Sequence, residues 1–246
     1  MGIYSDFPLR PSDINAILYA KGGDYVKDFP VFTTETGVSS LILKEVPYRK
    51  TAYIHIQDVQ TEGLKDHLDE CISFCRMVGA ERICATGHEG LIQYPQYMRL
   101  LEMRGTAWVD KSLLCNLFPV TEQTVPRWRQ IYNESMRSVD NAETMEARDE
   151  KKILQSGGAY FIHDNGNLLG IGWMDDTKLL VVASVVPGAG QRLMHTLMSL
   201  VEGADMTIEV ASTNEKALRL YEKLGFLPVR EVACWYDVLT TETDEK

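Results

Sequence analysis

Two rhythms of apolar positions alternate along this chain, and the points where one gives way to the other mark its elements. Val38 to Val46 and Thr51 to Val59 read as strands, with Pro47-Tyr48-Arg49-Lys50 as the turn between them. From Gly63 to Val78 the spacing becomes helical: Leu64, Leu68, Cys71, Ile72, Cys75 and Val78 fall on one face, and Gly79 ends the run. Arg82 to Ala85 is then a short strand, and Tyr94 to Met103 a helix closed by Gly105. Ahead of all these, Pro11-Ser12-Asp13 opens a short helix through Ala20 that Gly22-Gly23 ends.

The second half repeats the alternation. Leu113 to Val120 reads as a strand. Thr124-Val125-Pro126 opens a helix to Met136, with proline in its first turn. Another helix runs from Thr144 to Leu154 and breaks at Gly157-Gly158. Strands Ala159–His163 and Leu168–Met174 flank Asn165-Gly166, a pair that tolerates the positive φ of a two-residue hairpin. Asp175-Asp176 turns the chain into Leu179 to Val186, apolar at nearly every position, which suits a strand covered on both faces. Thr207 to Val210 places Ile208 and Val210 on one face and Glu209 on the other. The helix after it stripes Ala217, Leu220, Tyr221 and Leu224. The fold class is therefore α/β (α+β), a mixed, mostly antiparallel sheet flanked by helices.

The order strand, helix, strand, helix occurs in both halves. Gly79-Ala80 parallels Gly203-Ala204, and Arg99 to Gly105 parallels Arg219 to Gly225, at offsets of 124 and 120 residues. The pattern predicts two tandem copies of one unit, over residues 1–114 and 115–246. The first copy has Gln60-Thr61-Glu62-Gly63-Leu64 where the second has a glycine-rich turn, and Leu101 where the second has Tyr221. It reads as structural, or as a wall of the acceptor side.

Composition narrows the partners. A net charge of −10 argues against a nucleic-acid backbone and is compatible with a cationic amine, though solubility alone also explains it. No apolar run approaches the ~20 residues needed to cross a bilayer. Met1 to Asp6 lacks the basic and apolar regions of a signal peptide, so the expectation is a cytoplasmic protein without membrane association. Cys71, Cys75, Cys84, Cys115 and Cys234 show no paired C-x-x-C spacing, which predicts reduced thiols and no metal.

Chemistry concentrates between Val186 and Phe226. A strand entering Gly188-Ala189-Gly190 and then a helix presents unpaired first-turn N–H groups and the positive end of the helix dipole to an anion. Glycine lets a pyrophosphate approach, Arg192 can add charge, and Leu193, Leu197, Leu200 and Val201 form the helix's core stripe. A plain strand-to-helix turn would use the same residues. A dinucleotide fingerprint is disfavoured, because Leu193 takes the place of its third glycine.

Val210 to Phe226 carries V-x-x-x-N-x-x-A-x-x-L-Y-x-K-x-G-F without a mismatch. This resembles the closing motif of the GCN5-related N-acetyltransferases, which move an acetyl group from coenzyme A to an amine. The resemblance implies two tandem units of that fold, the first degenerate. It implies acetyl-CoA as cosubstrate, with Val185, Val186, Gly188, Ala189, Gly190, Gln191, Arg192, Asn214 and Tyr221 at the cofactor. Glu209 and Tyr221 are spaced as in the members that acetylate ribosomal protein N-termini, where E-V-x-x-x-N and L-Y-E-x-L-G-F hold base and acid. By that resemblance Glu209 is the base and Tyr221 the acid, and the acceptor is a primary amine on a small molecule or peptide.

Plainer readings stand beside these. Tyr221 on an apolar stripe also fits a core position. Glu209 fits a solvated strand position, and Ser212-x-x-Glu215 is a capping box that would make Asn214 a first-turn residue. The family's turn usually reads R/Q-x-x-G-x-G/A, and here Pro187 abuts Gly188, so the loop is shortened. The shortened loop favours the alternative of a non-catalytic regulatory module that keeps the fold. Transfer of a longer acyl group and a homodimer are both compatible with the sequence.

Overall fold

The computed structural model describes residues 30–140 and 142–239, so the helix expected from Pro11 to Ala20 lies outside the described residues. The chain folds as two units. One holds the described residues up to Arg99 together with those from Val232 on, and the other is Leu100–Glu231. The boundary expected at Leu114 falls inside the second.

The first unit contains β1 (Val31–Thr33), β2 (Gly37–Ile42), α1 (Val46–Arg49), β3 (Thr51–Val59), α2 (Leu64–Met77) and β4 (Arg82–Thr86). β5 (Gln96–Thr106) leads into the second, followed by β6 (Asn116–Pro119), α3 (Val125–Met136), α4 (Glu150–Ser156), β7 (Ala159–Asp164), β8 (Asn167–Asp175) and β9 (Lys178–Ser184). Then come α5 (Gly190–Met198), β10 (Asp205–Ala211), α6 (Glu215–Lys223) and β11 (Leu227–Asp237), whose last residues return to the first unit.

In the first unit β1, β2 and β3 are antiparallel, and α2 carries the chain over to β4, which pairs parallel with β3. The expected turn at 47–50 is the helix α1, with Pro47 in its first turn and Lys50 closing it at φ 56°. Leu64, Leu68, Cys71 and Cys75 of α2 pack on Leu41, Ala52, Ile54 and Ile83. Val78, expected on that stripe, lies past the helix end and is exposed.

In the second unit the strand order is β5-β10-β9-β8-β7-β6. β6 to β9 form an antiparallel meander, α5 crosses from β9 to a parallel β10, and β10 pairs antiparallel with β5. The hairpin at Asn165-Gly166 has the positive φ values (49° and 80°) that its sequence requires. Helices cover both faces. α5 and α6 pack on Met103, Ile208 and Val210, and α3 and α4 pack on Ile171, Trp173, Val181 and Ala183. α5 lies close because a Cβ at Gly172 would come within 2.6 Å of Leu197. Leu193 and Leu197 are fully buried as expected, whereas Leu200 is exposed beyond the helix end.

One element corrects the sequence reading. The segment read as a helix from Tyr94 to Met103 is the strand β5. Met98, Leu100 and Glu102 are buried at alternate positions, and seven residues pair with β10 in continuous register. That partner is distant in sequence, and its pairing decides the conformation over local spacing. Arg99–Gly105 is thus mostly strand while Arg219–Gly225 is mostly helix, so their likeness does not mark a structural repeat. What the two units do share is a parallel strand–helix–strand crossover.

Candidate active site

The parallel strands β9 and β10 pair only through Lys178–Thr207 and Leu179–Ile208. Beyond that point β9 stays with β8 as far as Ser184, and β10 stays with β5 as far as Ala211. The two strands therefore part along 180–184 and 209–211, leaving a slot edged by backbone groups that seek hydrogen-bond partners. Ligands in open α/β sheets bind at the carboxyl ends of strands where neighbours diverge in this way. Among the described residues of the first unit, the crossover opens no such slot. There β3 and β4 pair over five residues, and a Cβ on the following Gly87 would lie 2.3 Å from the carbonyl oxygen of Ile56.

At the end of β9, Val185 and Val186 are 43% and 39% exposed, unusual for valines that follow a core strand. The Ser184 hydroxyl donates to the Val186 carbonyl and shapes the bend. Gly188 follows at φ 80°, a conformation that favours glycine. Ala189 is buried, and α5 starts at Gly190 with no side chain capping its first N–H groups. These donors are the orphans of any helix start, and in chain order they come just after the end of the slot's first strand. A Cβ at Gly190 would sit 3.2 Å from Leu220, so the first turn of α5 packs against α6.

The other residues of the turn are engaged. Gln191 accepts from Lys223 Nζ at 3.2 Å. Arg192 Nη1 meets Asp164 Oδ2 at 2.8 Å, and that bond holds the Asp164 carboxyl below its ordinary range. The charge expected to reach a pyrophosphate is therefore already paired across to β7.

At the end of β10, Asn214 is the N-cap of α6, its Oδ1 accepting from Ala217 N at 3.3 Å. The capping box expected at Ser212-x-x-Glu215 is replaced by this bond. Two turns further on, Tyr221 is buried against Phe226, Ile208 and Val210, and its ring lies 6.3 Å from that of Phe226. Burial pushes its phenol well above the usual tyrosine range.

Glu209 leaves β10 on the opposite face from Ile208 and Val210. Its carboxylate is 8% exposed and receives Lys178 Nζ at 2.6 Å. Glu102 of β5 is its direct partner in the register. Adjacent carboxylates on paired strands repel, and each here has its own cations: Lys178 for Glu209, and Arg104 and Arg230 for Glu102. Burial opposes the ionisation of Glu102, but hydrogen bonds from the two arginines outweigh it and hold its carboxyl below the ordinary range.

The sequence singled out Glu209 and Tyr221, which stand on opposite faces of β10. It missed Lys178, Glu102, Arg104 and Arg230. The alternation Met98, Leu100, Glu102, Arg104 carried the signal for two of these charges on one strand face, and the helical reading hid it. Among the described residues no cluster of three or more histidine, cysteine or acidic side chains could hold a metal ion. No helix among them is long and apolar enough to cross a membrane.

No family model matches the sequence, and no curated protein is similar to it. Solved structures are similar in three dimensions. A GCN5-related N-acetyltransferase from Kribbella flavida superposes with a TM-score of 0.52 at 14% identity, over 87% of this chain and 91% of its own. A candidate acetyltransferase from Pyrococcus horikoshii gives 0.52 at 14% identity, over 84% of this chain and 71% of its own. A conserved protein of Enterococcus faecalis, described as of unknown function and a candidate N-acyltransferase, gives 0.57 at 11% identity, over 82% of this chain and 59% of its own. At these identities the likeness is one of architecture: the chain has the fold of the GCN5-related N-acetyltransferases.

Proposed function

We propose that the second unit transfers an acyl group, acetyl in the simplest case, from a coenzyme A thioester to an amine. The observation that carries this reading is the parting of β9 and β10, with the Gly188–Gly190 turn ending one strand and Asn214 following the other. A pantetheine arm laid in the slot would complete the interrupted sheet with its amides. Its pyrophosphate would meet the first-turn N–H groups of α5, and Val185 and Val186 would lose their exposure to it.

The thioester would then lie between the two faces of β10. The acceptor nitrogen attacks the thioester carbon, a C–N bond forms, and the C–S bond breaks. Glu209 takes the proton that the nitrogen sheds, directly or through water, and Tyr221 supplies one to the departing sulfur. The products are the N-acyl amine and free coenzyme A. Calorimetric titration of acetyl-CoA tests the donor site. Binding at about micromolar Kd, lost in Gly190→Glu while circular dichroism is unchanged, is the expected result. No binding by the wild type would remove the donor, and the reaction with it.

One observation favours a second reading, a module that keeps the fold without catalysis. The loop is short and Arg192 is committed to Asp164, so the turn offers backbone donors with little charge. The same titration separates the two when paired with thiol release across a panel of amines.

A further inference from the structure

The acyltransferase reading leaves the acceptor unnamed, and the side chains beside Glu209 bear on it. Glu102 is the cross-strand neighbour of Glu209, so their Cβ atoms stand about 5 Å apart. An acceptor with its nitrogen at Glu209 has Glu102 and its arginines next to it on one side. Glu102 cannot itself receive a cation. Arg104 places Nε and Nη2 on its Oε1 at 2.8 and 2.7 Å, and Arg230 places Nε and Nη2 on its Oε2, both at 2.9 Å. Both oxygens are filled, and the carboxylate is only 5% exposed.

A carboxylate buried to this extent and given two guanidinium groups acts as a bracket for them. Arg104 is gripped along one edge yet keeps 61% of its side chain exposed, and Arg230 keeps 45%. Gripping fixes the guanidinium plane, which removes the rotamer entropy that a surface arginine would lose on binding. A planar donor fork held in place suits a carboxylate. It would repel a second ammonium on the acceptor, so a polyamine is a poor fit despite the chain's net charge of −10.

Resting on the acyltransferase reading, we propose that the acceptor is an amino acid, its amine directed to Glu209 and its carboxylate bound by Arg104. Arg230 fixes Glu102 from the other side and acts as a positioning residue. Arg104 lies two residues along the same strand face from Glu102, about 7 Å away, within reach of a group joined to the reacting nitrogen by one or a few carbons.

The test compares amino acids with their decarboxylated amines (phenylalanine with phenethylamine, lysine with cadaverine, β-alanine with ethylamine) by thiol release from acetyl-CoA. Phosphoethanolamine against ethanolamine forms a further pair. We expect kcat/KM to favour the amino acid by about ten- to a hundredfold, the worth of one charge-assisted pair. In Arg104→Gln the ratio should fall toward one, chiefly through KM, and Arg104→Lys should recover part of it. Calorimetric acetyl-CoA affinity verifies that each variant is folded. If the donor binds but the ratio is near one, or Arg104→Gln leaves it unchanged, or only phosphoethanolamine or no amino acid is acetylated, this proposal alone is overturned. If the wild type binds no acetyl-CoA, the acyltransferase reading fails and takes this proposal with it.

Discussion

At the scale of single residues, the two members of the proposed acid–base pair sit in different environments. Tyr221 is enclosed by apolar side chains, and burial keeps its phenol protonated far beyond neutral pH. Tyr221→Phe should therefore lower turnover by about 10²–10⁴-fold while the unfolding midpoint barely moves. Because the phenol does not ionise in the working range, the alkaline limb of the wild-type pH–rate profile should survive in the variant's residual activity. Unchanged turnover would make Tyr221 a core residue, the plainer reading of its stripe. Buried thiols follow the same logic toward stability. Burial pushes Cys75 up to about 12, and Cys71 to about 11, from an ordinary thiol value near 9. The native state holds these protons after the unfolded chain has released them. Their contribution is complete below pH ~9 and is lost as pH rises toward the native values, at most about 1.4 kcal/mol per pH unit per thiol. Urea unfolding at pH 8 and pH 10 should show this decline, and Cys75→Ala should flatten it. An equal slope in the variant would mean that the thiol carries no such linkage.

At the scale of elements, most of the second unit was legible because its signals are local. Asn-Gly fixes the β7–β8 hairpin, proline opens α3, and Gly157 closes α4 in a left-handed conformation. The Gly188–Gly190 turn was legible for the same reason, since Gly188 requires positive φ at the end of an apolar strand. Three features depend on pairing between distant segments, and none could be read along the chain. β5 takes its strand form from β10. The parting of β9 and β10 is a property of their register. Asn214 caps α6 only because β10 ends three residues before it. Register also separates the two crossovers. β3 and β4 remain zipped over Thr51–His55 and Arg82–Thr86, whereas β9 and β10 part after two pairs. With one such slot among the described residues, the chain should bind one acetyl-CoA, so the calorimetric stoichiometry should be about 1 per chain within error; a value near two would require a donor site at the zipped crossover.

At the scale of the whole molecule, the sequence suggested two consecutive copies, and the strand pairing connects the halves differently. β5 is encoded before residue 115, yet it supplies the strand that covers Asp205–Ala211 of β10 in continuous register. It also supplies Met103 to the core beneath α5 and α6, and Glu102 to the charged face beside Glu209. A fragment of residues 115–246 keeps the whole sequence motif and loses all of this. Its β10 would present a row of unpaired backbone groups, an edge that invites aggregation, and the Met103 site would leave a void that alone costs about 2–5 kcal/mol. That is a large share of the 5–15 kcal/mol by which domains are stable. We therefore expect the fragment to be aggregated or to lack a cooperative unfolding transition, and a fragment beginning before Gln96 to recover more native signal in near-ultraviolet circular dichroism. A cooperative 115–246 fragment that binds acetyl-CoA like the full chain would show β5 to be dispensable for folding and for the donor site.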